Sequence, residues 1–252
     1  MHRKTPLLTL SYLLGSFFLN SGSAAPPKQI NLGLGSAVTL SELIVNTGEQ
    51  HYSFKRSRRD GEQDLYRRCL DSTLEEAWVF VRYSNYGEWW HEAGENENEA
   101  EKTASLGLTQ KHLAPPETIE EISLYHFHSD KITGKGFASE TPSLKDITDG
   151  AIKAADFVKS VSPELLGKLE FKIVVSSGIY TMRVDVKALE DQAVLKETLD
   201  TARSMEDERW KVTLGTSEFD YSPGNRVNFP RLNQEFARRY SSGGVKLEFV
   251  PK

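Results

Sequence analysis

The chain has 252 residues, enough for one large domain or two small ones and for a substantial hydrophobic core. Acidic residues (36) outnumber basic ones (31), giving a formal net charge of −5, and no long basic face is evident. This charge balance argues against nucleic acid as a partner. The single cysteine, Cys69, excludes an internal disulfide and a cysteine-rich zinc site. Helical spacing around it predicts a buried small side chain rather than a nucleophile.

The N-terminus has the order of a secretory signal peptide. Arg3 and Lys4 precede an apolar run over Leu7–Leu19, and small residues follow as far as Ala24. The apolar run is too short to cross a bilayer comfortably, so we expect cleavage after Ala24 and no stable membrane insertion afterwards. The pattern therefore predicts a secreted or periplasmic protein.

The predicted elements mix helices and strands without a regular βαβ alternation. This mixture predicts one α+β (mixed α/β) domain in which a β-sheet is flanked by helices. We divide the chain into a signal peptide (1–24), an N-terminal extension (25–60) and the domain itself (61–252). In chain order, the first elements are one or two strands over 30–46, a helix over 62–77, a strand pair or bent strand over 78–90 and a Glu- and Asn-rich surface loop over 91–105. They are followed by a strand over 119–128, a helix from about 142 to 161, a hairpin over 169–186 that turns at 177–178, a helix over 188–205 and a strand over 245–250.

Two histidines end the alternating strand "IEEISLYHFH". Ile122, Leu124, His126 and His128 share one strand face. Positions i and i+2 are roughly 7 Å apart along a strand, so a bend at its end would let both imidazoles converge on one ion. Asp146, at the start of the next helix, can supply a third ligand. Two imidazoles and one carboxylate leave one tetrahedral position open for water, as in catalytic zinc sites.

The same residues have an ordinary structural interpretation. Ser143 and Asp146 stand three apart at a predicted helix start, which is the spacing of an N-cap residue and an acidic residue in the first turn. A His-x-His pair on a strand is often no more than two unrelated side chains. The residue pattern by itself leaves both interpretations open.

The order His126-x-His128, followed by Pro142-Ser143-x-x-Asp146, resembles the signature of the JAMM (MPN+) zinc metalloprotease family. The resemblance implies that His126, His128 and Asp146 bind one zinc ion. It also implies that Ser143 helps to hold the site and to stabilise the tetrahedral intermediate.

The resemblance further implies an upstream glutamate that acts as general acid/base, at the end of a helix that leads into an apolar strand. In "STLEEAWVFV" Glu76 fits that place, and Glu75 is the alternative. The likeness covers roughly residues 62–185. It implies a JAMM/MPN-like fold and a hydrolase that cleaves a peptide or isopeptide amide bond in a peptide or protein substrate through a zinc-bound water. The signal-peptide pattern adds the expectation that this hydrolase is exported.

Three other functions fit parts of the same pattern. A PHP-type metal-dependent phosphoesterase also places His-x-His before a helix, but it requires further histidines later in the chain, and the last one here is His128. A Ser–His–Asp hydrolase could use Ser143, but the chain has no G-x-S-x-G elbow. An exported, non-catalytic binding module would keep the same fold and use Ser143 only as a helix cap.

Overall fold

In the described part of the chain, eight strands form one mixed sheet, and the helices pack against it. The computed structural model describes residues 43–46, 51–72, 76–95, 108, 113, 115–129, 140–213 and 229–252. The strands are β1 (Leu43–Asn46), β2 (His51–Lys55), β3 (Glu76–Tyr83), β4 (Gly87–Glu95), β5 (Ile119–Phe127), β6 (Leu169–Val175), β7 (Gly178–Val184) and β8 (Val245–Pro251). Their order across the sheet is β1-β2-β4-β3-β5-β6-β7-β8. The predicted α+β class is confirmed.

Four α-helices accompany the sheet in the described part of the chain. They are α1 (Arg58–Asp71), α2 (Lys153–Val161), α3 (Gln192–Thr213) and α4 (Phe229–Arg239). A π-helical segment (Asp146–Ile152) leads directly into α2, and short 3-10 helices span Pro116–Thr118, Pro163–Lys168 and Ala188–Glu190. The periodicity predicted α1, α2 and α3 but not α4. Of these described helices, none combines the length and the apolar character that a membrane span requires.

Some predicted boundaries differ from the structure. The helix expected over 62–77 ends at Asp71, and Ala77 lies in β3. Part of the extension 25–60 belongs to the sheet, because β1 pairs with β2 and β2 with β4. β4 continues through 91–95, the first residues of the expected loop. The expected signal peptide, 1–24, lies outside the described residues.

A parallel strand pair determines where the chain returns to the sheet. Among the described strands, β5 and β6 are parallel and the other neighbours are antiparallel. The chain leaves the end of β5, runs back through the π-helical segment and α2, and enters β6 where Leu169 pairs with Ile122. A parallel pair needs such a crossover. The start of the crossover helix therefore lies beside the end of β5.

Apolar side chains cover both faces of the sheet. The α2 face carries Val79 and Leu124, and the expected helical stripe packs against it. The α1 face carries Trp78 and Tyr125 and packs against Cys69, which is buried as predicted. The stripe is buried at every predicted position: Ile147, Ala151, Ala154, Ala155 and Val158.

Gly61 allows α1 to lie directly on the indole of Trp90. A Cβ at position 61 would lie 2.2 Å from Cε2 of that ring, which is 1% exposed and cannot easily move aside. Gly61→Ala should therefore lower the free energy of unfolding by about 1–3 kcal/mol through overpacking. Urea denaturation measures this loss. Gly167→Ala is the control, because a Cβ there meets no atom within 4 Å, and an equal loss in both variants would contradict the prediction.

Candidate metal centre

Three buried side chains meet at the end of β5. His126 is the penultimate residue of that strand, and His128 follows it, with its backbone N–H donating to the carbonyl of Val174 on β6 at 3.0 Å. Asp146 is the first residue of the π-helical segment. The exposed fractions of the three candidate ligands are 8%, 5% and 8%. The structure thus brings together all three predicted metal ligands.

The ligand atoms have the spacing of a metal site. Nε2 of His126 lies 3.2 Å from Oδ1 of Asp146, and Nε2 of His128 lies 3.2 Å from Oδ2. The two imidazole centroids are 4.9 Å apart, closer than the strand rise alone would place them. Tetrahedral zinc with bonds of 2.0–2.1 Å keeps its ligand atoms roughly 3.3 Å apart. Since one donor atom from each residue lies within 4.8 Å of the others, the group could hold a metal ion.

The electrostatics of the cluster favour an ionised carboxylate. Burial alone would raise the pKa of Asp146, but attraction to His126 and His128, together with hydrogen bonds from both rings, holds it well below 3.8. A metal ion requires its carboxylate ligand in this ionised form. In the absence of a metal, the same contacts form a buried carboxylate–imidazole cluster.

Ser143 caps the helix that carries Asp146. The backbone N–H of Ser143 donates to Oδ2 of Asp146 at 2.6 Å, and the backbone N–H of Asp146 donates to Oγ of Ser143 at 3.3 Å. From α3, a carboxylate oxygen of Glu206 accepts the backbone N–H of Leu144 at 3.0 Å. The capping interpretation is therefore correct, and it coexists with the position of Asp146 beside the histidines.

The π-helical segment is packed closely against the sheet next to the histidines. A Cβ at Gly150 would lie 2.7 Å from Cζ of Phe171, so glycine permits this approach. The ring of Phe171 meets the ring of His126 edge-on, with centroids 5.6 Å apart. π-Helical turns are rare and frequently occur at functional sites. This packing restricts the orientation of the His126 imidazole.

His128 is supported from the α1 face of the sheet. The thiol of Cys69 donates to the backbone carbonyl of His128 at 3.0 Å. The hydroxyl of Ser129 donates to the carbonyl of Ser72 just beyond α1. Nε2 of His128 is the nitrogen that faces Asp146. Within the described ranges, its Nδ1 is buried and has no hydrogen-bond partner.

Glu76 lies on the opposite face of the sheet from the candidate ligands. Ala77 pairs with His126, and side chains alternate along a strand, so Glu76 shares the α1 face with Trp78. There its carboxylate accepts hydrogen bonds from Nη1 of Arg68 at 2.7 and 2.5 Å and from Nε1 of Trp78 at 3.0 Å. The structure does not bring Glu76 to the other predicted site residues.

The sequence pattern did not identify Glu206, which accepts the backbone N–H of Leu144 from another helix, or Arg68, which holds Glu76 on the opposite face. Each acts through a contact with a residue in another element, and no local motif marks it. Glu75, the alternative general base, lies outside the described residues.

Comparisons with known proteins identify no relative: no family model, no curated protein and no solved structure matches the chain. The geometry of the three candidate ligands, and the His-x-His and Ser-x-x-Asp motif that contains them, are therefore the basis for a function.

Asp146→Asn should change how the stability of the metal-free protein depends on pH. Because the pKa of Asp146 is lowered in the folded state, its contribution to stability is complete above about pH 3.8 and is lost as the pH falls towards the lowered value. Below pH 3.8 the wild type should lose stability more steeply than the variant, by at most about 1.4 kcal/mol per pH unit for one proton. Urea denaturation with a chelator present, between pH 2 and 7, measures this difference.

Asp149→Asn is the matched control for that experiment. Asp149 lies on the same helical segment but is exposed and pairs with Lys153 at 2.6 Å. If the Asp146 and Asp149 variants follow the same pH curve, the buried contact with the histidines does not lower the pKa of Asp146.

Proposed function

We propose that the chain is an exported, zinc-dependent metallopeptidase of JAMM type that hydrolyses a peptide or isopeptide amide bond. The observation that carries this proposal is the buried group of His126, His128 and Asp146, with both nitrogen–oxygen distances at 3.2 Å. Three protein ligands leave one position for water or substrate, as in catalytic zinc sites. Zinc bound there would lower the pKa of a water molecule and polarise a substrate carbonyl.

Ser143 is suited to support the substrate oxygen. Its Oγ accepts the backbone N–H of Asp146, so the hydroxyl keeps its own proton for donation. The residue is only partly buried, at the edge of the ligand group. A donor in this position stabilises negative charge as it develops on the carbonyl oxygen.

We assign the general base to Glu75 rather than to Glu76. A base must come within hydrogen-bond reach of the proton that it takes, and Glu76 is held by Arg68 on the other face of the sheet. Glu75 is the alternative that the motif resemblance leaves for this role.

An exported, non-catalytic binding module is the second candidate function. The reciprocal cap gives Ser143 and Asp146 a structural role that requires no chemistry. The direct contacts of the carboxylate with both imidazoles also satisfy these polar groups without a metal ion.

Glu75→Gln should abolish amide hydrolysis while zinc remains bound, because the change removes the proton acceptor and leaves the three ligands in place. Glu76→Gln should retain turnover and lose stability, since it weakens the partly buried pair with Arg68. The measurement is a screen of zinc-loaded protein on peptide and isopeptide substrates, with zinc content determined for each variant. The exposed Glu164→Gln serves as the control for loss of one carboxylate.

Loss of turnover in Glu76→Gln with full activity in Glu75→Gln would contradict the assignment of the base. A zinc-loaded wild type that cleaves no substrate in the screen would favour the binding module.

A further inference from the structure

Glu140 is a buried carboxylate just ahead of the helix that carries Asp146. It is 2% exposed and accepts hydrogen bonds from the hydroxyl of Ser176, from the backbone N–H (3.3 Å) and hydroxyl of Ser177, and from Nδ2 of Asn233 (3.3 Å). These described partners are all neutral. Burial of a carboxylate is costly unless hydrogen bonds compensate for the lost water, and four donors supply that compensation here.

The contacts of Glu140 connect three separate parts of the fold. Ser176 and Ser177 form the turn between β6 and β7, and Asn233 lies on α4 and is fully buried. Nδ2 of Asn233 also donates to Oγ of Ser177 at 2.9 Å, and the hydroxyl of Tyr180 donates to the carbonyl of Asn233 at 3.5 Å. Burial, and secondly the charge of Glu140, raises the pKa of Tyr180. The carboxylate is thus held from several directions.

The strand end that carries the histidines and the segment that carries Asp146 are both hydrogen-bonded to the end of β6 or to the turn after it. His128 is attached through its backbone hydrogen bond to Val174. The segment that leads to Asp146 is attached through Glu140, which bonds the turn directly after β6. The chain between Glu140 and Asp146 is short, and its first two residues, Thr141 and Pro142, are buried. Little freedom is left between the anchor and the ligand.

We propose that Glu140 is a positioning residue that places Asp146 opposite the two histidines. This proposal rests on the proposed function, because it assumes that the three residues bind a metal ion. Glu140 does not contact the ligands in the described network. It fixes the point from which the capped helix starts, and so the distance from the carboxylate of Asp146 to Nε2 of His126 and of His128.

Glu140→Ala should lower zinc affinity about 10-fold, the lower end of the range typical for the loss of a group that hydrogen-bonds a metal ligand, because Glu140 acts on Asp146 only through the chain between them. Glu140→Gln should lose less, because it keeps the side-chain length and one oxygen acceptor. The measurement is competition of the purified full chain with a chromophoric chelator for zinc, at a temperature where circular dichroism shows each variant to be folded. If Glu140→Ala does not fold, Ser177→Ala, which removes one donor to Glu140, should show a smaller loss of the same kind.

Leu165→Ala is the control for a general loss of stability. Leu165 is fully buried beyond the C-terminal end of α2, whereas Asp146 lies ahead of its start. At a matched decrease in Tm it should bind zinc as the wild type does. Wild-type affinity in Glu140→Ala, or an equal loss in Leu165→Ala, would overturn the positioning role alone. A wild-type chain that binds no zinc would instead contradict the proposed function on which the role depends.

Discussion

The parallel pairing of β5 with β6 is the constraint on which the candidate metal centre depends. Parallel neighbours require a crossover, and this crossover is a helix that runs back along one face of the sheet. Its start must lie beside the end of β5, where His126 and His128 converge. The pairing therefore accounts for the meeting of Asp146 with two imidazoles that precede it by about twenty positions. Ligand sites at the carboxyl ends of strands are a general consequence of such topologies.

The two faces of β5 have different tasks. On the α2 face, the histidines and the carboxylate form a compact polar group that is shielded by Phe171 and the π-helical segment. On the α1 face, the thiol of Cys69 donates a hydrogen bond to the backbone carbonyl of His128. There Arg68 and Glu76 form an ion pair with each other and take no part in the metal centre. This division makes α1 a support for the strand that carries the ligands.

The sequence was most informative where the pattern is local. The alternation in β5 and the apolar stripe of the crossover helix depend on the periods of strand and helix, which place the two histidines at a strand end and Asp146 at the next helix start. The motif resemblance indicated that these three residues share one site. The face of Glu76 could not be predicted, because helical spacing continues past Asp71 and only tertiary structure determines where β3 begins. α4 was not predicted, although Leu232, Phe236 and Ala237 follow the helical spacing of an apolar stripe. The burial of Asn233 on that helix could not be predicted, because its partner Glu140 is distant in sequence.

The proposed chemistry depends on one divalent metal ion held by two imidazoles and one carboxylate at the end of β5. Zinc X-ray absorption spectroscopy on the purified protein, loaded with one equivalent of zinc, observes this coordination itself. We expect a four-coordinate shell of nitrogen and oxygen atoms at about 2.0–2.1 Å with the outer scattering of two imidazoles, lost in His128→Ala. A shell without imidazole scattering, or an identical spectrum in His128→Ala, would contradict it.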